Sequence, residues 1–132
     1  MSKKKSKKEI KKLTLKDYIK RAKQKEQSIK EFKNVLLGKE EIVVKKMKDG
    51  KILDYMDRIE EDASMRENIG VFKDIAYESI PMLQDKELRD NFELPEPVDI
   101  VTKVFEIGEV IKISEKILDL YGLSDLKDDL KN

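Results

Sequence analysis

Apolar positions in this chain recur mostly at helical spacing. Met65, Ile69, Phe72, Ala76 and Ile80 fall at i, i+4, i+7, i+11 and i+15, a stripe along one face of a helix. Ser64 and Glu67 open that helix at capping-box spacing, and Pro81 closes it. Val110, Ile113, Ile117, Leu120 and Tyr121 predict a last helix, with Gly122 as the residue that ends it. Between the two, "QDKELRDNF" predicts a short helix capped by Asp85, and "ELPEPVD" a loop with two prolines. Ile100, Val101, Val104 and Phe105 form the buried side of a further helix that opens near Pro97. Gly108 marks a break or a kink. Gly70 lies inside the longest stripe, where glycine costs up to ~1 kcal/mol against alanine. A close packing contact is expected there.

The N-terminal half is patterned differently. Thr14 and Asp17 have capping-box spacing with Asp in place of Glu or Gln. A helix from Leu15 to Phe32 would align Leu15, Tyr18, Ala22, Ile29 and Phe32, but Lys25 and Glu26 interrupt the stripe. So polar a helix depends on a partner for stability. "EEIVVKKM" reads as one short strand, with Gly38 as punctuation before it and a turn at Lys48–Gly50 after it. Ile52, Leu53, Met56 and Ile59 return to helical spacing within "KILDYMDRIEEDA". A lone strand leaves its backbone unpaired, so this one must pair with a second copy, a partner or a neighbouring strand.

These patterns predict a mainly α fold. It is a compact helical domain of about four C-terminal helices, with one short N-terminal strand or hairpin and a basic N-terminal helix or arm. Residues 1–12 read as a disordered Lys-rich arm, 13–123 as a single α-rich domain and 124–132 as a polar tail.

Charge adds an asymmetry that the formal net of +1 conceals. Residues 1–33 hold 14 Lys and Arg against 4 Asp and Glu, while residues 34–132 hold 15 against 24. A basic arm thus joins an acidic body, and could meet nucleic acid, a membrane surface or an acidic protein. The N-terminal "MSKKKSKKEIKK" has no apolar stretch after it, which argues against a secretory signal. No apolar run approaches the ~20 residues of a membrane span.

The chain has no Cys and no His. That removes thiolate chemistry, the commonest general base and the commonest metal imidazole. The five glycines are too scattered for a phosphate-cradling loop. Carboxylate groups such as Asp57, Glu60 and Glu61, or Glu106 and Glu109, read as solvated helix faces. "EVIK" at Glu109–Lys112 lacks the spacing of a magnesium nuclease. No catalytic, cofactor or metal site is expected. The arm carries lysines with few aromatics, so nucleic acid would be bound non-specifically if at all.

Several motifs then share one order: "Y-x-S-I-P-x-L" at Tyr77–Leu83, "KELRDNF" after it, "P-x-D-I-V-x-K-V-F" from Pro97 to Phe105, "GE" at Gly108–Glu109 and "LYGL" at Leu120–Leu123. In these the chain resembles the phage tail assembly chaperones of Gram-positive prophages and phage-tail-like bacteriocins. "LTLKDYIK", the Val-rich strand and "DGKILDYMDRIEE" sit in the same family order, so the resemblance spans roughly residues 13–123. It implies a non-enzymatic protein without cofactor. Such a protein binds the tape measure protein and keeps it soluble while tail tube subunits polymerise around it. The implied partners are the tape measure protein and tail tube subunits, with no membrane, and the unpaired strand adds a second copy of the chain as a further one. The implied location is the host cytoplasm, outside the finished tail. The alternative is a small nucleic-acid-associated protein acting through its Lys-rich arm.

For partner binding the candidates are the strand residues Ile42, Val43 and Val44. Val71 and Ile75 on the long helix and Ile111 and Leu118 on the last one join them as secondary-face residues. Ile69, Phe72, Ala76, Val104, Phe105, Ile113 and Ile117 are expected in the core.

Overall fold

The computed structural model describes residues 9–123. The expectations for residues 1–8 and 124–132 lie outside them. Among the described residues the fold is mostly helical, with one two-stranded antiparallel sheet. Helix α1 (Leu15–Lys30) leads into strands β1 (Phe32–Leu37) and β2 (Glu40–Lys45). Helices α2 (Asp49–Asp57), α3 (Met65–Ser79), α4 (Lys86–Asp90), α5 (Ile100–Val104) and α6 (Ile107–Asp119) follow. Single turns of 3-10 helix at Pro81–Gln84 and Pro97–Asp99 join the later ones.

The partner of the β-branched strand is the segment just before it. Gly38 takes φ +64°, which glycine adopts without a Cβ clash, and with Lys39 closes a two-residue hairpin loop. The register pairs Leu37 with Glu40, Val35 with Ile42 and Lys33 with Val44. The expected helix from Leu15 to Phe32 therefore stops at Lys30, and "FKNVLL" becomes a strand. No second copy is needed to satisfy the ladder.

Strand alternation gives the hairpin two faces. Val35 and Val44 are buried and Leu37 and Ile42 pack on the core, while Phe32 and Leu36 are exposed on the other face. Helix α6 lies against both β1 and α3, and α3 also meets α2 and α5. The centre of the core is Ile75 and Ala76 from α3, Ile100 and Val101 from α5, and Val110, Ile113, Ile117 and Leu118 from α6, all 0–1% exposed. Each fully buried Val, Leu or Ile contributes roughly 1.5–3 kcal/mol. Two polar ties cross this core. Ser114 Oγ donates to the Phe72 carbonyl at 3.0 Å, and the Met47 N–H donates to the Tyr121 hydroxyl at 2.7 Å. The second tie anchors the end of the hairpin to the end of α6, and burial holds the Tyr121 hydroxyl above its ordinary pKa.

Local signals at helix ends hold well. Capping boxes form at Thr14/Asp17 and Ser64/Glu67, and Asp85 accepts from the Glu87 N–H. The Thr14 and Ser64 backbone N–H groups hold the Asp17 and Glu67 carboxyls below their usual values. Gly122 adopts φ +73° just past α6. The break expected at Gly108 comes slightly earlier, at Phe105–Glu106, where α5 ends and α6 begins.

Packing corrects other expectations. The helix read through "KILDYMDRIEEDA" ends at Asp57. Val104 is 45% exposed, and Ile69, Phe72 and Phe105 are only partly buried. Nothing lies within 4 Å of a Cβ built on Gly70, so no close contact requires glycine there. Gly70→Ala should accordingly stabilise the protein by up to ~1 kcal/mol, read as a raised denaturation midpoint. A lowered midpoint would show that the added methyl meets a neighbour.

Candidate partner-binding surface

Three exposed features have the chemistry of a binding surface. The first is a solvent-open groove of about 870 Å³ between the end of α1, the end of β2, the start of α2 and the α3–Pro81 corner. Its lining includes Lys30, Lys45, Lys46, Lys48 and Lys51 against two carboxylates, Asp54 and Glu78. Ile29 and Pro81 add apolar surface, while Met47 borders the groove but is buried in the core. Glu78 is already engaged: Lys51 Nζ lies 2.9 Å from it, and the Tyr55 hydroxyl donates to it at 3.2 Å. That hydrogen bond from Lys51 to Glu78 raises the Lys51 pKa. The Lys45 ammonium sits over the Phe32 ring at 5.9 Å and that of Lys46 over Tyr121 at 4.8 Å.

The second feature is α1 itself. None of its residues is buried, and Leu15 (75%) and Tyr18 (58%) are largely exposed. The polar sequence leaves this helix little to bury, and it buries none of its residues. Its ties to the rest are few. Lys25 pairs with Asp49, and Ile29 borders the groove.

The third is a smaller depression of about 410 Å³ where α3 and α6 begin, lined by Met65, Ile69, Gly70 and Ile107 together with Arg66, Lys73 and Thr102. Met65 (78%) and Ile107 (54%) are well exposed there.

The sequence-derived candidates divide by burial. Val44, Val71, Ile75 and Leu118 are all buried at 0–3% exposure, so the expectation that they face a partner is corrected. Ile42, Val43 and Ile111 are half-buried, and Ile42 packs on the core. None of these seven lines the three features. The sequence does not single out the groove lysines, because "KKMKDGK" reads as the polar flank of a strand and its turn. The available signal was their density on both sides of that turn, which brings Lys45, Lys46, Lys48 and Lys51 to one place.

Among the described residues, no group of three or more Asp and Glu is placed to hold a metal ion. No helix of the described residues is long and apolar enough to cross a membrane. Compared with known protein families, curated proteins and solved structures, the chain matches none of them.

Proposed function

We propose that this protein is a phage tail assembly chaperone that binds the tape measure protein and keeps it soluble while the tail tube polymerises. It acts in the host cytoplasm and leaves before the tail is finished. The observation that carries this reading is the pairing of an amphipathic helix that buries nothing, α1, with a charged, partly apolar groove at its end. A holding protein for a long helical client needs such surfaces and no reaction centre. Small apolar patches rimmed by charge also favour binding weak enough to be displaced. The ordered motifs from Tyr77 to Leu123 support the same reading.

Co-expression with the product of a neighbouring, very long helical reading frame tests it. The two should co-purify, and the long product should be less soluble when expressed alone. A long product that is equally soluble alone and never co-purifies would overturn the reading.

The lysine-lined groove favours a second reading, a small nucleic-acid-associated protein. Phosphate binding weakens steeply as salt rises, whereas apolar burial does not. A salt titration of whichever complex forms separates the two.

A further inference from the structure

Helical geometry joins two of the exposed features into one surface. At 3.6 residues per turn, Tyr18, Ala22 and Ile29 share one face of α1, and Ile29 lines the groove. The apolar side of α1, about 24 Å long at 1.5 Å per residue, therefore runs into the groove rather than away from it. The groove continues its character, with the exposed Pro81 as further apolar surface. Around it the lysines outnumber the carboxylates, and Lys51 already engages Glu78. Lys30, Lys45, Lys46 and Lys48 make no ion pair among the described residues. Four cations without counter-charges beside apolar surface are complementary to a segment carrying both carboxylates and apolar side chains. A nucleic-acid backbone fits less well, because it brings no apolar side chains to lay on Ile29 and Pro81.

We propose that this groove, continued along α1, holds an acidic amphipathic segment of the client, its apolar side chains on Ile29 and Pro81 and its carboxylates against the lysines. The assignment deepens the chaperone reading and rests on it for the identity of the client. Lys45 and Lys48 are exposed side chains, so their replacement leaves the fold in place, which a thermal melt of each variant checks.

The test uses the full chain and a fluorescent synthetic peptide with leucines at alternating three- and four-residue spacing and glutamates elsewhere. A matching peptide has lysines for the glutamates, and an oligothymidylate supplies the nucleic-acid arm. At physiological salt the glutamate peptide should bind at least about ten-fold more tightly than the lysine peptide or the oligothymidylate. Neutralising two rim cations, Lys45→Gln with Lys48→Gln, should weaken it about ten-fold, about 1.4 kcal/mol. Lys45→Arg with Lys48→Arg should restore most of the affinity.

Equal binding of the two peptides, or no loss in the glutamine pair, overturns the proposal. Tighter binding of the oligothymidylate overturns it in favour of a polyanion site. Co-purification of the tape measure product with the same variants separates the two levels. Full retention by the glutamine pair removes the groove assignment and leaves the chaperone reading. Peptide binding with no tape measure product retained by the unaltered chain removes the client and leaves the groove.

Discussion

Replacing Ile75 by alanine should lower the unfolding free energy by about 2–5 kcal/mol, the largest loss expected from a single truncation here. Ile75 is 0% exposed on α3, the helix that meets α6, α2 and α5. Truncation there removes transfer energy and leaves a cavity that three packed helices cannot collapse. Domain stabilities are commonly only about 5–15 kcal/mol, so the variant should unfold at a clearly lower denaturant midpoint with an unchanged slope. Phe105→Ala should cost less, since Phe105 is half-buried at the end of α5. An Ile75→Ala protein that melts like the unaltered one but no longer retains its client would place Ile75 at the binding surface instead.

Proline at Val44 should be nearly as damaging. Leu37 and Glu40 flank the two-residue loop and form a hydrogen-bonded pair, and such pairs alternate with non-hydrogen-bonded ones along the ladder. Lys33 and Val44 are therefore hydrogen-bonded, and Val44 is 0% exposed. Val44→Pro removes a ladder donor, leaving the Lys33 carbonyl unpaired at a cost of about 1–3 kcal/mol, and places a rigid ring against the core. Val43 belongs to a non-hydrogen-bonded pair, so its N–H points away from β1, and among the described residues no other backbone carbonyl accepts from it. Val43→Pro should destabilise less, and light scattering should show the same mass as for the unaltered chain. Loss of a larger assembly on Val43→Pro would reopen the strand as an assembly edge.

How much was legible before the fold can be judged at particular residues. Thr14, Ser64, Asp85, Pro81 and Gly122 act over a single turn of backbone, and all five do what their spacing predicts. Strand β1 is hidden in the sequence because it follows α1 after one residue. Its Phe32 also fits the phase of the helix before it, so the helical stripe concealed a change of backbone. The groove lysines lie on a turn whose two sides converge only once the hairpin and α2 are placed.

The sequence by itself determined the mainly helical character, most helix ends, the β-branched strand and the basic-to-acidic division of the chain. These rest on short-range chemistry: periodicity, caps, turn residues and composition. Tertiary structure alone decided which face of each helix is inside. In α3 the expected stripe centred on Ile69, Phe72 and Ala76, whereas the buried face, Val71, Ile75, Ala76 and Ser79, is turned from it by roughly 70° at 100° per residue. In α6, Leu118 is buried while Leu120 remains partly accessible. Apolar residues cover more than half the circumference of α3, so periodicity leaves its phase open within that arc. The neighbours resolve it, because only packing against α6, α2 and α5 determines which part of the arc loses its water.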